Sequence, residues 1–84
     1  MGIQIALVKA DDWEGLYVSE KLVCEDHAIE VEEVMAQVLY NHVDRFDIYH
    51  ASETWMAMVG SFAPSLRDVV LEDGRTIAEH WKTE

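Results

Sequence analysis

The chain has 84 residues, enough for one domain with a small core that buries about 60–65% of the unfolded surface. Half of the residues are hydrophobic and 27% are charged, a globular balance and not a disordered one. A net charge of −11 repels phosphate backbones and anionic lipids, so direct nucleic-acid and membrane partners are not expected; a basic protein surface is the favoured partner, beside the plain role of acidity in solubility.

Ile3, Ile5 and Leu7 recur with period two and predict a half-buried first strand over residues 3–8. Lys9, Ala10, Asp11 and Asp12 form a polar turn, and residues 13–18, rich in β-formers, a second strand. Ser19-Glu20 then makes a tight turn into a short third strand, residues 21–24; without Asn or Gly, a two-residue primed turn there is strained.

Residues 30–42 predict a helix, with Val31, Val34, Met35, Val38 and Leu39 on one stripe and Glu30, Glu33, Gln37 and Asn41 opposite. Glu30 stands at the N-cap, Ile29 and Val34 fit a hydrophobic staple, and Glu32 and Glu33 suit the positive end of the helix dipole. Residues 45–49 alternate as a fourth strand. A second helix starts at Ser52 and stops at Gly60, with Trp55, Val59 and Phe62 as its core stripe and Met56 partly exposed. Ser65 caps a short turn, Val69, Val70 and Leu71 form an apolar β-branched run, Gly74 turns the chain, and Thr76 caps a last short helix over residues 77–81. The order β-β-β-α-β-α with a short helical tail predicts a single α+β domain, a small antiparallel sheet of three to four strands packed by two helices.

The acidity is uneven. Residues 11–33 carry nine acids against Lys21 alone, a local charge of −8, while residues 34–84 carry −4. The lone Cys24 forms no internal disulfide and reads as a small strand hydrophobe. The first residues show neither a secretory leader nor a membrane span, and Ala6 breaks the myristoylation pattern, so a reducing, cytoplasmic setting is expected.

The stretch DDWEGLYV, residues 11–18, admits two readings. Asp11, Asp12 and Glu14 offer oxygens to a hard cation, but the spacing is not that of a calcium loop, and no metal is assigned. Alternatively Asp11 and Asp12 form a solvated turn while Trp13, Gly15 and Tyr17 share one face, the glycine leaving room for a ring or a backbone to approach. Of the four histidines, none is spaced for zinc with another or with Cys24. His27, just before the first helix, either meets an anionic group or bonds to local backbone; His42 and His80 suit helix C-termini. Trp55, Met56, Met58 and Phe62 suggest a partner surface or ordinary core. Arg45, Arg67 and Arg75 would hold a phosphate only if folding gathers them. No nucleophile motif or glycine-rich phosphate loop is present, so no catalytic residue and no cofactor is assigned.

Through DDWEGLYV, a KLV strand, a histidine before the helix and an acidic helix start, the first 40 or so residues resemble a group of small uncharacterised phage and bacterial proteins. In that group a glycine precedes KLV and another precedes the histidine; here those places hold Glu20 and Asp26. The resemblance implies a viral or mobile-element accessory protein and no particular activity. Two functional expectations follow. The first is a non-enzymatic interaction protein that binds and blocks a basic host protein, using Asp11, Asp12, Trp13, Glu14, Tyr17, His27, Trp55 and Met56. The second is a homo-oligomer that sequesters a nucleotide-like molecule, stacking it on Trp13, Tyr17 or Trp55 and meeting its phosphates with His27, Arg45, Arg67 or Arg75.

Overall fold

The computed structural model describes residues 3–40 and 43–82, Tyr40 by its backbone alone. His42 and Asn41 lie outside the described residues. Strands β1 (Ile3–Lys9), β2 (Glu14–Val18) and β3 (Lys21–Asp26) are followed by helix α1 (Val31–Tyr40), strand β4 (Val43–His50) and helix α2 (Glu53–Val59). A 3₁₀ turn, Leu66–Asp68, and helix α3 (Ile77–Lys82) complete an α+β fold. The four strands lie in the order β3-β2-β1-β4.

The sheet is mixed. β1, β2 and β3 pair antiparallel, whereas β4 joins β1 in parallel. Two antiparallel steps leave β3 pointing the same way as β1, so reaching a parallel β4 at the far edge requires a crossover, and α1 supplies it. This corrects the expectation of an antiparallel sheet in one strand only.

The crossover puts helices on both faces. Ala6, Val8 and Tyr17 point into the main core with Ala51, Met56, Phe62, Leu66, Val69, Leu71 and Ile77, under α2, the 3₁₀ turn and α3. Ile5, Leu7 and Leu16 alternate with them and are buried on the α1 face. β1 is therefore a doubly buried central strand, not the half-buried one its period suggests. Val69 and Leu71 are core residues held by isolated bridges, Ala51 with Leu71 and Val70 with Thr76, and not by a strand.

Several local signals are realised as read. Ser52 Oγ accepts from the Trp55 N–H at 3.2 Å, and Gly60 closes α2 in the left-handed region at φ 78°. Thr76 and Glu79 form a reciprocal capping box: Thr76 Oγ1 accepts from the Glu79 N–H at 3.2 Å and Glu79 Oε1 from the Thr76 N–H at 3.0 Å. Ser65 occupies a cap position without a side-chain bond; its backbone bridges to Lys21 instead.

The β2–β3 turn is the strained one. Ser19 and Glu20 both have positive φ, 51° and 71°, as a two-residue primed turn requires. Tertiary contacts hold it: the Ser19 N–H donates to the Gln4 carbonyl, the Leu66 N–H donates to the Glu20 carbonyl, and the Glu20 carboxylate pairs with Arg67.

Helix phases depart from the sequence reading. On α1, Val34 and Val38 turn toward the sheet while Val31, Met35 and Leu39 are exposed. A five-residue stripe spans more of the helix than one sheet contact covers, and the Glu33 flank is drawn to β3, where Cys24 Sγ–H donates to Glu33 Oε2 at 3.3 Å. On α2, Met56 is buried and Val59 exposed, the reverse of the expectation, because the Ser52 cap sets the phase so that Trp55 and Met56 face inward.

Candidate functional site

The turn over residues 10–13 is closed by the Ala10 N–H donating to the Trp13 carbonyl at 2.8 Å. It stands beside α2, and between them lies an open cleft of about 340 Å³. Asp11, Asp12 and Trp13 line it from the turn; Glu53, Met56, Ala57 and Gly60 line it from α2. A smaller depression of about 100 Å³ continues past Asp11 and Glu53 to Lys9, His50 and Glu72. The cleft thus combines carboxylates at its rim with an aromatic and aliphatic wall.

Trp13 is held firmly. Its Nε1–H donates to Glu25 Oε1 at 2.6 Å, and the same oxygen accepts from the Phe62 N–H at 3.4 Å. His27 packs edge-on against it, with ring centroids 4.9 Å apart at 85°. The His27 Nδ1 lies 3.2 Å from the Asp12 carbonyl. A carbonyl only accepts, so this contact needs the hydrogen on Nδ1. His27 therefore braces the acidic turn from outside the cleft, through a carbonyl 15 residues back in the chain and not its own local backbone.

The structure gathers Asp11, Asp12, Trp13 and Met56, which lie up to 45 positions apart in the chain. It separates the other expected residues from them. Glu14 Oε1 accepts from the Ile29 N–H at 2.8 Å and its other oxygen lies 3.7 Å from Lys9 Nζ, so it anchors the approach to α1 and does not join Asp11 and Asp12. Tyr17 is a correction: it is fully buried, its hydroxyl donates to the Ala63 carbonyl at 2.5 Å, and burial pushes its phenol well above the ordinary range, so no partner reaches the ring. Trp55 is half-buried against the core. The room beside Gly15 is filled by the chain's own Phe62 ring.

The arginines do not converge as a triad. Arg45 and Arg67 line one open groove with Gln4, Glu20 and Trp81, and the Arg67 guanidinium lies 5.4 Å from the Trp81 ring centre. Each is already paired, Arg45 with Asp47 at 2.6 Å and Arg67 with Glu20. Arg75 sits apart, 3.2 Å from Asp73. His80 Nε2 is 2.8 Å from the same Asp73 carboxylate. The Cys24 thiol is pushed up to about 11 by burial first and by Glu33 second, which leaves it protonated at neutral pH.

Sequence reading missed Glu53, whose first-turn place in α2 follows from the Ser52 cap, and Ala57 and Gly60 one and two turns on. Among the described residues, no three His, Cys, Asp or Glu side chains come together to hold a metal ion, and no helix is long and apolar enough to cross a membrane. Compared with protein-family models, curated proteins and solved structures, the chain matches none of them.

Proposed function

We propose that the chain is a protein-binding module that receives a lysine or arginine side chain of a basic partner in the cleft between the 10–13 turn and α2. The lining of that cleft carries the reading: Asp11, Asp12 and Glu53 at its rim, Trp13, Met56 and Ala57 along its wall. A cationic head meets carboxylates and the Trp13 π-system, while its methylene stem lies on the apolar wall. The net charge of −11 steers such a partner in from a distance. A cleft of about 340 Å³ accommodates a side chain and its neighbours and is open enough for a protein surface to reach. In a phage accessory protein, occupancy of a host protein's basic surface would be sufficient to block it. The sequestering alternative draws less support, because both guanidiniums of the Arg45–Arg67 groove are already neutralised by carboxylates.

The test is binding of short arginine- or lysine-containing peptides, followed by Trp13 fluorescence, against matched peptides carrying citrulline or norleucine. Cationic peptides should bind, weaken as salt rises from about 50 to 300 mM, and lose affinity on Asp11→Asn/Glu53→Gln. Equal binding of the neutral peptides would overturn the reading.

A further inference from the structure

The α1 face of the molecule holds a second surface that the cleft does not explain. β4 is an edge strand of eight residues without proline, and among the described residues no strand pairs with its outer side. A long uncovered edge is a template for another strand. On the α1 face of the same strand, Phe46 and Ile48 are 42% and 54% exposed, aligned with buried Ile5 and Leu7. The α1 flank opposite Glu33 adds Val31, Met35 and Leu39, at 73%, 47% and 79%. At side-chain areas on the order of 150–200 Å² each, these five residues expose roughly 500 Å² of apolar surface. With the β4 backbone edge and its polar neighbours, it approaches the roughly 800 Å² per partner of a standard interface.

We propose that a second copy of this chain covers this surface, the two β4 strands pairing antiparallel across a two-fold axis to make one continuous eight-stranded sheet. The side chains along β4 are arranged to meet their own counterparts in a second copy. A two-fold axis perpendicular to the sheet keeps both α1 helices on the same side, so β4 must pair about a residue that faces its own counterpart. Centring on Phe46 stacks the two Phe46 rings on the apolar face. It also sets Arg45 opposite the partner's Asp47, and Asp47 opposite the partner's Arg45, on the other face. Within one copy Arg45 and Asp47 already share that face, paired at 2.6 Å. Moving the centre by one residue either way puts Asp47 or Arg45 against itself, a like-charge contact. Because α2 packs on the opposite face of the sheet from α1, the dimer leaves both acidic clefts open, and the assembly is bivalent.

Native mass spectrometry and light scattering of the full chain over about 1–200 μM should show a dimer. Arg45→Asp and Asp47→Arg should each weaken it at least about tenfold by placing like charges opposite one another twice. An equimolar mixture of the two variants should recover a one-to-one heterodimer, since all-acidic and all-basic pairs then face each other across the axis. That recovery separates pairing between copies from the pair within one copy, and circular dichroism checks that each variant is folded. A wild-type chain that stays monomeric throughout, or variants that neither weaken the dimer alone nor recover it together, would overturn the proposal. Either result leaves the cleft reading intact, because peptide binding is read separately.

Discussion

Phe62 packs directly over Gly15, in the space a side chain there would need. A Cβ built on Gly15 lies 2.5 Å from Phe62 Cδ2, 3.0 Å from Cε2 and 3.2 Å from Cγ. Ordinary contact needs at least 3.4 Å, so Gly15→Ala forces the ring back by about 1 Å. Phe62 has little room to give. It is 3% exposed, its N–H donates to Glu25, and the next residue's carbonyl accepts the Tyr17 hydroxyl. Overpacking of this kind costs about 1–3 kcal/mol, and each kcal/mol moves the Tm of a domain this size by about 4–8 °C. Gly15→Ala should therefore lower Tm by roughly 5–20 °C. The double-mutant cycle with Phe62→Ala, by urea titration at low temperature, isolates the cause. Truncating the ring costs about 3–5 kcal/mol by itself, but in that background Gly15→Ala should change stability by no more than about 0.5 kcal/mol. An equal cost in both backgrounds would show that the Phe62 ring is not what the added methyl meets.

Three further outcomes are expected. Replacing the strained turn by Ser19→Asn/Glu20→Gly should raise stability by about 1 kcal/mol, less the small share of the exposed Glu20–Arg67 pair; a net loss in urea titration would show that the pair dominates. With its thiol pushed from 9.0 to about 11, Cys24 should react with iodoacetamide at pH 8 about tenfold more slowly than a free cysteine, the greater nucleophilicity of the rarer thiolate offsetting part of its scarcity. Glu33→Gln should speed the reaction, and an unchanged rate would remove Glu33 as a cause. Glu79 and Asp73 are held below their ordinary values, first by the backbone N–H groups of Thr76 and Arg75 respectively. A depressed carboxylate contributes stability that is present above its unfolded value and lost as pH falls through its folded one. Stability should therefore drop below about pH 4.5, and Glu79→Gln should flatten that decline; an unaltered acid limb would count against the capping box.

Part of the candidate site is legible in the sequence. Asp11, Asp12 and Trp13 stand out as an acidic turn beside an aromatic strand start, and both features survive folding, because a polar turn between two strands keeps its exposure in almost any packing. Glu14 and Tyr17 belong to the same octapeptide yet do other work. Alternation along β2 sends their side chains to opposite faces of the sheet, one toward the start of α1 and the other into the core. Glu53 could be found only through its neighbour in space, since no spacing rule links residue 53 to residue 11.

The order of elements, the α2 and α3 boundaries and the Thr76 cap follow from the chain by itself, because they rest on periodicity and on hydrogen bonds within a few residues. Tertiary structure decided the rest. The choice of β1 as the neighbour of β4 made the sheet mixed and buried β1 on both faces, a pairing over some forty residues that no local signal encodes. It decided as well the roll of α1 that leaves Val31, Met35 and Leu39 in solvent. A stripe of apolar residues shows that a helix has a face to cover, but only the width of the sheet beneath it determines how much of that face is covered.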